Sequence, residues 1–135
     1  MLNQDDVNKE EEAIRINIQN LSNEDRKILY SEVKTKIKDP DTYATLNWFF
    51  ITGIHHFYLG KWIKGILDLV IFIIGIILII LGYSEMGIFL IIFISIVELY
   101  ALFRSQIIIQ DWNNQVHQKA LQRLSNEIEG VSTTD

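Results

Sequence analysis

The chain has 135 residues, of which 49% are hydrophobic, and its formal net charge at pH 7 is -5. This charge disfavours nucleic acid as a partner, because nucleic-acid binding depends on basic surfaces. The absence of cysteine excludes disulfide bonds and thiolate metal sites. The acidic opening, MLNQDDVNKEEE, lacks an apolar core, so a secretory signal peptide is not expected there.

Residues 1–40 are polar and rich in charge, and two helices are predicted within them. Ser22 is suited to cap the second helix, because acidic residues follow it and lysines lie near the end of the segment. Pro40 is predicted to end that helix. Apolar residues follow helical spacing on one face of each helix: Ile14, Ile18 and Leu21 in the first helix, and Leu29, Val33 and Ile37 in the second.

Three apolar segments follow, at residues 43–54, 62–81 and 86–103. A bilayer core is crossed by about 20 helical residues, a length that the second and third segments reach. Neither has the polar stripe of a helix in a soluble bundle, so they are predicted to form a transmembrane hairpin around the turn GYSE. The first segment is short and contains Asn47. It is predicted to be a re-entrant or interfacial helix, or a short helix packed beside the hairpin, with a complete third crossing over residues 43–59 as the alternative.

Basic residues are absent from the GYSE turn and present at the other ends of the two helices, at Lys61, Lys64 and Arg104, and in both tails. The positive-inside rule therefore predicts a multi-pass protein of the cell membrane with both tails in the cytoplasm. A third crossing would put the basic N-terminal tail outside, which favours the interfacial interpretation.

Two acidic residues, Asp68 and Glu98, lie inside the predicted membrane helices at similar distances from the turn. They are expected at one depth, near the cytoplasmic side, and Lys64 is placed to pair with Asp68 one turn away. The favoured interpretation is a polar contact that fixes the register of the hairpin, and the alternative is a proton-responsive or cation-binding cluster. Small residues are expected to share the same faces: Gly75 and Gly82 with Asp68, and Gly87, Ser95 and Ala101 with Glu98.

The stretch GIHHFYLG at 53–60, followed by Gly-Ile-Leu at 65–67, resembles the TM-two domain, a small module of two transmembrane helices. In that family a Gly-x-His-Arg-Phe-Tyr-Leu-Gly turn precedes the first helix, and the second helix carries an acid. The family's Arg is replaced here by His56 and its Asp by Glu98. The resemblance covers residues 43–103 and implies a membrane module with no established enzyme chemistry. The matching positions are Gly53, His55, Phe57, Tyr58, Leu59, Gly60, Gly65 and Glu98.

Gly53 and Gly60 suit a tight turn, and Phe57 and Tyr58 suit the level of the lipid headgroups. His55 is placed to bond an acid such as Glu98. Adjacent histidines are expected to diverge on a helix, and the third histidine, His117, is distant in sequence. No metal site, catalytic residue or cofactor is therefore predicted.

Beyond Arg104 the helical spacing of apolar residues continues, which predicts that the last membrane helix extends into the cytoplasm. The N-terminal helices are expected to pack on this extension, and a coiled-coil or partner-docking arm is the alternative. The residues of this stripe are Ile109, Trp112, Val116, Ala120, Leu124 and Ile128.

The sequence thus predicts an all-α integral membrane protein, a transmembrane hairpin preceded by a re-entrant or interfacial helix and flanked by helical cytoplasmic tails. The predicted domains are residues 1–40, 41–104 and 105–135. The expected function is a non-enzymatic membrane scaffold or interaction module. Its expected partners are the lipid bilayer and either further copies of the chain or other membrane proteins. The alternative is an oligomeric proton or cation channel or transporter that uses Asp68 and Glu98.

Overall fold

A computed structural model describes residues 2–48 and 53–132, the last four by their backbone only. Helices, and no strands, make up the regular structure of these residues. The prediction of an all-α chain is confirmed for the part of the chain described. The helices in chain order are α1 (Gln4–Gln19), α2 (Asn23–Val33), α3 (Pro40–Trp48), α4 (Ile54–Tyr58), α5 (Trp62–Ile80), α6 (Ser84–Phe103) and α7 (Ser105–Ser132).

The chain divides into two compact units. The first, here called the tail unit, consists of Met1–Lys38 and Ile107–Asp135. The second, here called the hairpin unit, consists of Asp39–Gln106. The tail unit therefore combines the two ends of the chain, and the hairpin unit is one continuous stretch.

The core of the tail unit is aliphatic, with contributions from α1, α2 and α7. The predicted packing of the N-terminal helices on the C-terminal extension is confirmed by this core. Ser22 caps α2 as predicted, since its side chain accepts a hydrogen bond from the Asp25 backbone N–H at 3.1 Å. The core residues are Ile14, Ile18, Leu29, Val33 and Ala120.

Two predicted helix boundaries are wrong. Helix α2 ends at Val33, and Pro40 begins α3 rather than ending a helix. Proline suits a first helical position because its missing N–H has no partner to lose there. Asp39 precedes it and accepts hydrogen bonds from the backbone N–H and hydroxyl of Thr42, each at 2.7 Å. The last apolar helix also does not run on, because α6 ends at Phe103 and a turn at Arg104 separates it from α7.

Helices α5 and α6 are joined by a short turn and have the length and composition of membrane spans. They have 19 and 20 residues, with mean hydropathy of 2.8 and 2.5, and only 11% and 17% of their apolar windows are buried. The core helix of a soluble protein would be mostly buried. The prediction of two helices apolar enough to cross a membrane is therefore confirmed.

Helices α5 and α6 contact each other at a pair of glycines. A Cβ atom added to Gly87 would lie 2.4 Å from the Gly75 carbonyl oxygen, so these backbones meet with no room for a side chain. This agrees with the predicted small-residue contact. Gly82 does not take part, because it lies beyond the end of α5 in the turn, with φ of 89°. The Ser95 hydroxyl donates to the Ile91 carbonyl of its own helix at 2.7 Å.

The predicted interfacial segment, residues 43–54, begins within α3 and ends at the first residue of α4. Residues 49–52 of this segment lie outside the described residues. Helix α3 buries Tyr43 and Asn47, which are four residues apart on one face, and it packs against α4 and α6. Helix α4 in turn packs against α3 and α5, which brings the two histidines to the hairpin.

Candidate functional site

The octapeptide forms a tight corner in front of α5. Gly53, at the N-terminus of α4, and Gly60, just after its end, have φ of 60° and 66°, a left-handed conformation that favours glycine. Gly53 also lies against α5, where an added Cβ atom would stand 3.0 Å from the Gly65 carbonyl oxygen. Backbone conformation and close packing thus both require glycine at position 53.

Three further octapeptide residues hold the corner in place. The Phe57 ring covers Gly65 so closely that a Cβ atom there would stand 2.8 Å from it. Leu59 is buried. The Tyr58 hydroxyl accepts a hydrogen bond from the Asp39 backbone N–H at 3.0 Å, which ties the end of α4 to the start of α3. These residues therefore position α4 against its neighbours.

His55 is the more deeply buried histidine, with 1% of its surface exposed. Its Nε2 lies 3.0 Å from the Glu98 Oε2 of α6, and the Tyr43 ring meets its imidazole edge-on with 5.2 Å between centroids. Burial, with the nearby Glu98, raises the pKa of Tyr43, so its hydroxyl remains protonated at neutral pH. His55 is therefore enclosed by an aromatic ring and a carboxyl group. The predicted approach of His55 to Glu98 is present in the structure.

His56 faces both acids. Its Nε2 lies 3.1 Å from the Asp68 Oδ2 and 3.8 Å from the Glu98 Oε1. Burial, with the neighbouring His55, lowers the pKa of His56 to about 4. The imidazole is therefore neutral at pH 7, and its contact with Asp68 is not an ion pair.

The sequence analysis was wrong about the direction of the adjacent histidines. Their imidazole centroids lie 4.0 Å apart, and both Nε2 atoms approach the Glu98 carboxyl group. The expected partner of Asp68 is also different, since Lys64 is exposed and His56 makes the close contact. Asp68 and Glu98 do meet the same imidazole, as their predicted common depth requires.

Several polar atoms of this cluster lack hydrogen bonds within the described part of the chain. They include His55 Nε2, Glu98 Oε2 and Asp68 Oδ2, although each lies about 3 Å from a polar atom of another side chain. The contacts therefore have hydrogen-bond length without hydrogen-bond alignment. The side-chain Nδ2 and Oδ1 atoms of the fully buried Asn47 also lack hydrogen bonds within the described part of the chain. Unsatisfied buried polar groups are costly and are uncommon in folded proteins.

Tyr43 and Asn47 are the site residues that sequence reasoning missed. The available signal was their spacing of four on one helix face, with a polar amide inside an apolar segment. The residues of the octapeptide lie at the corner and Gly65 lies in the first turn of α5, whereas Glu98 lies on α6. The buried cluster, here called the polar cluster, is defined as His55, His56, Asp68 and Glu98.

The polar cluster combines two imidazoles with two carboxyl groups. His55, His56 and Glu98 each offer one donor atom, and these three atoms lie within 4.8 Å of one another. Such donors can share protons or bind a cation. His55 and Glu98 are almost fully enclosed, whereas the side chains of His56 and Asp68 are 18% and 16% exposed. The cluster therefore has an inner pair and an outer pair.

No family model, curated protein or solved structure matches the chain.

Proposed function

We propose that the protein is a small, non-enzymatic integral membrane module of the TM-two type. In this proposal α5 and α6 cross the cell membrane, and the tail unit lies in the cytoplasm as an interaction module. The polar cluster fixes the corner and the hairpin relative to each other. The lipid bilayer is the partner of the exposed faces of α5 and α6.

The observation that supports this proposal best is the exposed apolar surface of the hairpin. Ile63, Ile80 and Phe103 are 84%, 77% and 81% exposed. Many other large apolar side chains of α5 and α6 are exposed as well. Monomeric proteins in water rarely expose contiguous apolar patches of this extent. The two acids within these helices, Asp68 and Glu98, lie against the histidines of α4 rather than on the exposed apolar faces, as is usual for acids inside a membrane.

The first experiment is extraction of membranes that contain the full chain. Carbonate at high pH removes peripheral proteins, and mild detergent releases integral ones. We expect the protein to stay in the membrane pellet after carbonate and to be released by detergent. A monodisperse, detergent-free protein in the carbonate supernatant would contradict the proposal.

Topology is tested by single cysteines, because the chain has no cysteine of its own. Three exposed serines offer nearly isosteric positions: Ser84 at the start of α6, Ser31 in α2 and Ser125 in α7. In intact cells stripped of outer layers, an impermeant maleimide is expected to label Ser84→Cys. Ser31→Cys and Ser125→Cys are expected to react only after permeabilisation. The reverse pattern would refute the orientation while leaving membrane insertion intact.

A second candidate function is a proton or cation channel, which the presence of Asp68 and Glu98 on α5 and α6 favours. The contact between Gly75 and Gly87 leaves no passage between the two backbones there. A channel would therefore have to form between copies of the chain. Reconstituted liposomes test this directly, with ion flux lost in Asp68→Asn or Glu98→Gln and retained in Glu85→Gln. No flux from the wild-type protein at any pH would remove this candidate.

A further inference from the structure

The polar cluster has features that a structural contact does not require. A contact that fixes register would be expected to align donors with acceptors, since a buried polar group without a hydrogen bond destabilises the fold. Here His55 Nε2 and Glu98 Oε2 are both buried, lie 3.0 Å apart and are not aligned as a hydrogen bond. One donor atom from each of His55, His56 and Glu98 lies within 4.8 Å of the other two.

We propose that His55, His56 and Glu98 bind one divalent transition-metal ion of the zinc class, with Asp68 beside them as the nearest further donor. This proposal concerns the hairpin unit alone and does not depend on the proposed function.

The distances within the cluster fit such an ion. Zinc bonds to imidazole nitrogen and carboxylate oxygen are about 2.0–2.1 Å, so neighbouring ligand atoms in a tetrahedral site lie about 3.3 Å apart. The contacts of Glu98 with the two imidazoles are 3.0 Å and 3.8 Å, and that of His56 with Asp68 is 3.1 Å. The two Glu98 contacts involve different carboxyl oxygens, and the three donor atoms lie within 4.8 Å of one another, so an ion at the centre would require side-chain rotations that bring the donors closer together.

The donor types select the class of ion. Imidazole with carboxylate suits zinc and neighbouring transition metals, whereas calcium and magnesium prefer all-oxygen sites. Soft ions that require thiolate have no ligand, because the chain lacks cysteine.

Access and support are also present. The outer pair, His56 and Asp68, is partly exposed and offers an entry, while the inner pair, His55 and Glu98, is enclosed. Around the inner pair, Tyr43 packs on His55, and Asn47 lies one turn further along the same face of α3. The ring contact with Tyr43 thus limits the movement of the His55 imidazole.

The test uses the full-length protein in detergent, purified with a tag that contains no histidine and stripped of metal with a chelator. Calorimetric titration with zinc chloride is expected to show one site per chain. Titration with Co²⁺ is expected to give the intense visible absorption of a four-coordinate site. Millimolar Mg²⁺ or Ca²⁺ is not expected to displace the ion, and displacement would overturn the assigned class of metal.

Three variants assign the ligands, and two further variants serve as controls. His56→Gln and Glu98→Gln are each expected to weaken zinc binding more than about 100-fold, which exceeds the effect of losing a residue that only supports a ligand. Asp68→Asn is expected to weaken it about 10-fold. His117→Gln and Glu85→Gln remove the same chemical groups elsewhere and are expected to bind as the wild type does. Circular dichroism checks that each variant is folded.

The proposal is overturned if the wild-type protein shows no saturable zinc binding, or if His56→Gln and Glu98→Gln bind as tightly as the controls. Should Glu98→Gln fail to fold, His56→Gln still decides the question, because its side chain lies in the partly exposed outer pair.

Discussion

In the tail unit the best-buried side chains are mostly aliphatic, with Leu29 and Val33 at 1% and 2% exposure, whereas the hairpin unit buries Asn47, His55 and Glu98 as completely. The exposed surfaces differ in the opposite sense, since many isoleucine and phenylalanine side chains of α5 and α6 are exposed. One chain thus contains a unit whose best-buried side chains are aliphatic and a unit that buries several polar side chains as well. The contrast is what water around the first unit and lipid around the second would produce.

The polar interior of the hairpin unit is tested most strongly by removing one member of the inner pair. His55→Leu, in metal-free protein, is expected to destabilise the hairpin unit by about 3 kcal/mol, because it replaces the polar atom 3.0 Å from the buried Glu98 carboxyl group with an apolar side chain. The double variant His55→Leu with Glu98→Leu is expected to recover most of that loss. Unfolding in mixed detergents measures both. A single variant as stable as the wild type would show that the pair contributes little.

The nature of the outer surface is tested by placing the same charge on each unit. Ile73 on α5 and Ile28 on α2 are 45% and 52% exposed, so they form a matched pair. Ile73→Lys is expected to cost about 2.5–3.5 kcal/mol of insertion free energy, since it lies near the middle of a span. Ile28→Lys is expected to have little effect in water. A glycosylation-based assay measures membrane insertion of the Ile73→Lys variant, and the yield of folded protein measures the effect of Ile28→Lys. If Ile73→Lys had as little effect as Ile28→Lys, the interpretation that lipid surrounds α5 would be refuted.

The close contact between α5 and α6 is tested by adding one methyl group at position 87. Gly87→Ala places a Cβ atom against the Gly75 carbonyl oxygen, and the strain is expected to cost about 1–3 kcal/mol. Ile88→Ala, next to it on the exposed side of α6, is the control and is expected to be nearly neutral. Detergent unfolding measures both. If Gly87→Ala were as stable as Ile88→Ala, the helices would not approach as closely as described.

The smallest expected effect concerns the tail unit, where ordinary helix capping in water applies. Ser22→Ala removes the acceptor for the Asp25 N–H and is expected to destabilise this unit by about 1 kcal/mol. Ser31→Ala is the control, because the Ser31 hydroxyl bonds only to the Ile28 carbonyl within its own helix among the contacts described. Thermal unfolding of the full chain followed by helix content measures the difference, and equal midpoints would contradict the capping role.

The sequence was sufficient for the features that depend on local pattern. Apolar length identified α5 and α6, the spacing of Leu29 and Val33 identified a buried helix face, and Ser22 was recognised as a cap. Pro40 was misinterpreted because proline suits both the residue after a helix and the first residue of one. The separation of α6 from α7 at Arg104 was missed because the apolar spacing continues across it.

The polar cluster was predicted only in part. The common depth of Asp68 and Glu98 follows from counting residues along two antiparallel helices. The convergence of His55 and His56 does not, because it depends on how the short helix α4 is seated between α3 and α5. That seating results from packing at Gly53, Gly65 and Phe57, which are distant enough in sequence that no periodicity reports their contact.

The glycine at position 87 has a consequence for recognising other chains with this hairpin. Its closest neighbours include main-chain atoms of α5, so no change of side-chain rotamer can make room for a larger residue. Substitution there would oblige the two helices to cross at another angle or shift along each other, and the acids at 68 and 98 would then no longer meet. Covariation between a small residue at 87 and an acid at 98 is thus a signature by which descent from this architecture can be traced.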